Sequence, residues 1–272
     1  MTASTMPDTA TVSAARRRKA MRKLNERWPA FAAALGMIAL WWAIIVIGNV
    51  PQYIAPSPLV VFETFRDRWP MLWANFVPTL LEALAGFVVG NSVAVILAIW
   101  FVHSRFAERA FYPIAVFVNT IPIIALAPIL VLLFGNGFEP KVIIAALICF
   151  FPTLVNMVRG LNSMSSQMHE LMRVLSASPR EVLFKVRLQA SLPYLFAALK
   201  IASTTCVIGA IVGEWIGSNY GLGWLILDST YNFRSPLLYA TVIMGSGLAV
   251  LLFSITTLAE RLLLTWKPAN AH

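Results

Sequence analysis

Few residues in this sequence have the type and spacing needed for covalent chemistry. Cys149 and Cys206 each sit inside a long apolar run, which reads as two small packing residues and not as a disulfide or thiolate pair. A zinc site needs about four clustered ligands, whereas His103, His169 and His272 are scattered. A phosphate-cradling loop needs G-x-x-x-x-G-K-[ST]. Here no Lys follows a Gly and none precedes Ser or Thr. H-E-x-x-H and G-x-S-x-G are missing too, which argues against a membrane-embedded protease or esterase. The expectation is no catalytic residue, no cofactor-binding set and no metal.

The remaining candidates are polar groups in apolar surroundings, and the composition says what those surroundings are. Of 272 residues, 59% are AVILMFWYC and 12% are charged, with a mean hydropathy of +0.75. Soluble domains carry about twice that charge, and a globule of this size has too little interior for so many apolar side chains. Water is not the main solvent. Crossing a bilayer takes about 20 helical residues, and charge-free stretches trimmed at Pro and Gly predict six helices near 31–50, 77–101, 110–134, 141–159, 193–213 and 237–261. The run from Trp28 reads as an uncleaved first helix, since it is long and no small-residue cleavage site follows. Residues 1–27 are expected to be a disordered basic tail and 28–268 the membrane domain.

Counting basic residues sets the orientation. With the N-terminus inside, sixteen of the 21 Lys and Arg fall in inner connections or at inner helix ends, against four outside. Both termini are therefore expected in the cytoplasm. The net charge of +9 is explained by helix-end charges facing the lipid bilayer, not by a nucleic acid partner.

Ionisable groups at membrane depth are costly and often functional. Glu214 closes the fifth helix on the outer side, where it either serves a gate or reaches water. Lys200 is expected to snorkel, with an anionic solute as the alternative contact. Glu82 is expected at the interface. Asn119, Thr120, Pro122 and Pro128 give the third helix polar groups and kinks suited to lining a pathway. Two G-x-x-x-G pairs, Gly86/Gly90 and Gly209/Gly213, predict close helix approach within the bundle or at a dimer seam.

Three connections exceed a turn. Ser57-Pro58 predicts a capped short helix on the outer side. Segment 214–236 is too apolar for a solvated loop and is expected to fold back onto the bundle. Segment 160–192 on the inner side predicts two short amphipathic helices meeting at Ser176-Ala177-Ser178. The first carries Leu171, Met172 and Leu175 beside Glu170 and Arg173; the second opens on a Ser178-Pro179-Arg180-Glu181 capping box. About 33 residues there imply something that docks.

This segment resembles the signature loop of permease subunits of bacterial ATP-binding-cassette importers, E-A-A, three residues, G, nine residues, I-x-L-P. Glu170 stands for the Glu, Ser176 for the Gly, and Val186-Arg187-Leu188 for I-x-L, while Leu171 and Met172 replace both alanines and Gln189 the Pro. APSPLVVFETF, NTIPIIALAPILVLLFGNG (119–137) and GEWIGSNYGLGWLI (213–226) are similar to the nitrate, sulfonate and taurine branch, in order over residues 30–266.

The resemblance implies an all-α integral membrane protein, a six-helix bundle of the type I ABC importer (MetI-like) class in the inner membrane. Segment 160–192 would be its cytoplasmic coupling loop, with Glu170, Leu171, Met172, Arg173, Leu175 and Ser176 meeting separate ATPase subunits and Pro193 passing the push to helix five. The partners implied are those ATPases, which would bind ATP and Mg, an extracytoplasmic solute-binding protein and a second permease copy. The solute implied is a small anion such as nitrate, sulfonate or taurine, with a heterocyclic vitamin precursor as alternative. The other function class weighed is a stand-alone secondary transporter or channel, which usually shows internal repeats; none is visible.

Overall fold

Helix accounts for nearly all of the computed structural model, which describes residues 28–29 and 32–264. The expected basic tail, 1–27, lies outside the described residues, as do 265–268 of the membrane domain. The elements are α1 (Ala32–Ile47), α2 (Pro58–Asp67), α3 (Trp69–His103), α4 (Arg105–Thr120), α5 (Ile123–Phe134) and α6 (Glu139–Leu161). They continue with α7 (Ser166–Val174), α8 (Pro179–Val182), a π turn (Leu183–Arg187), α9 (Leu188–Glu214), α10 (Leu222–Tyr231) and α11 (Ser235–Leu263).

Four helices are long and apolar enough to cross a membrane unaided: α3, α6, the continuous stretch Pro179–Glu214, and α11. The expected third helix is a broken one. Its halves, α4 and α5, meet at 98°. Pro122 cannot donate a backbone hydrogen bond and pushes Ile121 into extended backbone (φ −71, ψ 125), while Thr120 Oγ1 donates back to the Phe117 carbonyl at 2.7 Å. Counted as one span, the pair makes five, and the shorter apolar α1 occupies the place of the sixth. Trp41 of α1 stacks on Tyr239 of α11 with ring centroids 5.8 Å apart.

The second helix starts earlier than expected, at Trp69, and runs through Pro78. Its buried side chains explain why. Leu72, Asn75, Phe76, Thr79, Glu82, Ala83, Gly86 and Gly90 hold one helical stripe on both sides of that proline, so packing carries the helix past the break in propensity. At the other end of the chain's middle, the second amphipathic segment is not separate: Pro179 leads through the π turn into α9 as one helix.

α6 lies at the centre, between α3 and α9. Small residues make this possible. A side chain on Gly86 or Gly90 of α3 would strike Ala145 or the Ala146 backbone of α6, and one on Gly209 of α9 would come within 2.7 Å of the Ala145 Cα. Gly213 faces Lys141 the same way. Both G-x-x-x-G pairs thus face α6 from opposite sides, within the bundle. Cys149 and Cys206 are fully buried as packing residues. By contrast Leu132 is 87% exposed and Ile47 83%. An exposed apolar shell of this extent is what lipid covers.

Candidate functional site: an exposed amphipathic helix and a buried polar clasp

At one end of the bundle, α7 stands out from the spanning helices. Ser165 caps it, its hydroxyl accepting from the Met168 N–H at 3.3 Å. Met172 turns inward and is buried, whereas Leu171, Val174 and Leu175 are 50%, 81% and 65% exposed. Glu170 and Arg173 flank this row, both exposed. Sequence reasoning placed Met172 in the outward row and missed Val174. The signal was available: Leu171, Val174 and Leu175 are three and four apart, so they share a face.

α7 ends in a Schellman motif. The Ser176 N–H donates to the Arg173 carbonyl and the Ala177 N–H to the Met172 carbonyl, both at 3.0 Å. Ser176, with φ +51, holds the left-handed position that glycine occupies most easily. The turn forms here without a glycine. Ser176→Gly is therefore expected to stabilise this turn by about 1 kcal/mol, read as slower hydrogen exchange at the α7 amides; unchanged exchange would show that the serine carries no strain.

Two residues later the capping box forms as expected. Ser178 Oγ accepts from the Glu181 N–H at 3.3 Å, and Glu181 Oε2 accepts from the Ser178 N–H at 3.0 Å. Lys185 donates to the other Glu181 oxygen at 3.0 Å. Because Pro179–Glu214 is one helix, α7 is joined by a short capped turn to a rod crossing the whole bundle. Pro193 lies inside that rod, half-buried.

The pathway candidates separate. Asn119, Thr120, Pro122 and Pro128 are all exposed around the α4–α5 bend. Lys200 is paired with Glu260 of α11 at 2.5 Å, each side chain about one quarter exposed. Glu260 escaped sequence reasoning, although it is the sole acid in the last charge-poor helix.

Neither Glu214 nor Glu82 reaches water. Glu214 is 1% exposed and Glu82 0%. They belong to a polar clasp at the α10 end. Lys141 at the start of α6, 1% exposed, lies 3.1 Å from Glu82 Oε1, donates to Ser218 Oγ at 2.8 Å and stands 4.1 Å from the centre of the Tyr220 ring. Thr79 Oγ1 lies 2.6 Å from Glu214 Oε1 and accepts from the Leu222 N–H at 2.8 Å. Glu214 Oε2 accepts from the Gly223 N–H at 2.5 Å, and Asn75 Oδ1 accepts from the Gly221 N–H at 2.9 Å.

So α3 and α9 send polar side chains to hold the N-terminal turn of α10, whose first N–H groups lack intrahelical partners, and Lys141 of α6 holds Ser218 in the loop just before it. Gly221, at φ +102, lets the chain pass against the Glu214 carboxylate, where a side chain would collide. The expected fold-back of 214–236 is this helix. Its Leu222, Gly223, Leu225 and Ser229 are buried. A clasp this dry offers no open face to a solute; it fixes helix ends.

A membrane bundle with a protruding capped helix and no nucleotide loop can be compared with known proteins. Residues 86–265 match the family described as binding-protein-dependent transport system inner membrane component. The chain belongs to this family. Its match covers α4–α11 and so takes in α7, Lys141 and Glu214, while Thr79 and Glu82 precede it. This permease is 34% identical over 226 residues to a probable ABC transporter permease protein of Haemophilus influenzae, covering 83% of this chain and 92% of that one. It is 33% identical to the formylaminopyrimidine transport permease protein ThiX of Halalkalibacterium halodurans, over 85% of this chain and 93% of that one. With a putative aliphatic sulfonates transport permease protein of Bacillus subtilis it shares 27%, over 85% and 84%. Among solved structures, a chain of the MetNI methionine ABC transporter in an inward-facing conformation superposes with a TM-score of 0.59 at 20% identity, over 73% of this permease and 97% of that chain. The fold is that of a type I importer permease.

Proposed function

We propose that this permease couples to separate ATPase subunits through α7. The exposed row Leu171, Val174 and Leu175, rimmed by Glu170 and Arg173, is the observation that carries this reading. On a chain without a phosphate-cradling loop, an apolar row outside the lipid-covered spans is a docking surface for the protein that burns ATP. The push travels from α7 through the Ser176 turn into the Pro179–Glu214 rod as a rigid-body movement. Both termini and α7 face the cytoplasm, in keeping with the excess of basic residues on that side. The chain works as a homodimer in the inner membrane, with the α4–α5 bend toward the solute path, and an external binding protein delivers the solute.

The solute is a small polar organic molecule. Relatives named for a formylaminopyrimidine (33%) and for aliphatic sulfonates (27%) supply the two classes, and the higher identity favours the heterocycle. The test is ATP hydrolysis by the reconstituted importer across a panel of pyrimidines, flavins and alkanesulfonates, each with its binding protein. Stimulation by a heterocycle is expected; stimulation by sulfonates alone would reverse the order.

A further inference from the structure

Behind α7, away from the docking row, lies a cavity of about 390 Å³. That is within the range of about 300–1,000 Å³ typical of small-molecule sites. His103 of α3, His169 and Arg173 of α7, and Arg187 of the π turn bring four basic side chains to its wall. Met172 and Leu183 make an apolar side, and no carboxylate lines it. Among the described residues neither arginine is paired with an acid. The Arg187 Nε is buried without a hydrogen-bond partner, an arrangement that costs free energy until an acceptor arrives.

The histidine geometry adds direction. His103 Nδ1 donates to the Ile99 carbonyl at 2.8 Å, which orients the ring and leaves Nε2 for another contact. His103 is also the last residue of a helix long enough to span the membrane, so the cavity lies at one end of a span and not in its middle. Leu171, Val174 and Leu175 are not among its lining residues. The apolar docking row and the cavity therefore lie on different faces of α7, with Arg173 at the boundary between them.

We propose that this cavity binds a phosphate group, held by the planar forks of Arg173 and Arg187, and that the bound phosphate ties α7 to the ends of α3 and the Pro179–Glu214 rod. Guanidinium forks match phosphate oxygens two at a time, and the Met172–Leu183 wall suits the apolar part of a phosphate ester. An anionic phospholipid headgroup and a soluble phosphate ester share this chemistry.

The test titrates the detergent-purified full chain with dihexanoylphosphatidylglycerol, dihexanoylphosphatidylcholine and inorganic phosphate, following thermal unfolding. Saturable stabilisation by phosphatidylglycerol alone identifies the lipid source; stabilisation by inorganic phosphate as well, at similar concentration, identifies the soluble one. Arg173→Gln, at an exposed position that folding tolerates, should need about tenfold more ligand for the same shift, and Arg187→Gln should behave alike. The basic tail is identical in all variants, so its attraction for anionic lipid cancels. Equal stabilisation by phosphatidylcholine, no stabilisation by either anion, or wild-type titration of Arg173→Gln would overturn the proposal.

Discussion

Lys141→Met is expected to cost about 3–5 kcal/mol of stability, because removing one partner of a buried ion pair leaves the other charge uncompensated. The Lys141 side chain is 2% exposed and that of Glu82 0%, so neither can turn to water. Without the ammonium, Glu82 and Glu214 remain as two acids in one dry pocket, and Ser218 loses its donor from α6. The double variant Glu82→Leu/Lys141→Met removes both charges at similar volume and is expected within about 1–2 kcal/mol of wild type. Thermal unfolding of the purified chains in one detergent measures both. A destabilised single and a near-neutral double are the pattern of a clasp. If the single variant unfolds with wild type, the pair contributes nothing and α10 is held by its apolar contacts alone. The clasp thus makes a prediction about packing, separate from docking.

Local patterns in the chain carried most of the helices and little of this clasp. The caps at Ser57 and Ser178 and the turn at Ser176 depend on neighbours within a few residues, and they stand where the spacing put them. α6 and α11 are apolar runs whose ends shift by only two residues from expectation. Pro misled in both directions. At Pro78 the helix continues because Thr79 and Asn75 are anchored to α10, a contact between residues more than 140 apart. At Pro122, where the flanking Asn119 and Thr120 are exposed, the helix breaks. Glu214 was left between a gate and a helix end reaching water, and Lys141 entered only the count of outer charges, since a one-dimensional pattern shows that both end apolar runs but not that they end at the same place. Met172 and Val174 exchanged roles for a similar reason: which side of a short amphipathic helix faces the bundle depends on the turn that follows it.

Leu171→Asp is expected to leave insertion and unfolding temperature unchanged, because Leu171 is half-exposed, while weakening ATPase association about 100-fold. A central apolar contact in a docked interface is worth about 2 kcal/mol or more, and a carboxylate in its place adds an unpaired desolvated charge. Glu170→Lys reverses a rim charge and should act in the same direction more weakly. Solute-stimulated ATP hydrolysis by reconstituted complexes of the wild-type and Leu171→Asp chains tests the docking of α7 most directly. Hydrolysis in the variant should fall to the unstimulated rate of the ATPase alone, with the chain still folded in the membrane. Wild-type stimulation in that variant would contradict it.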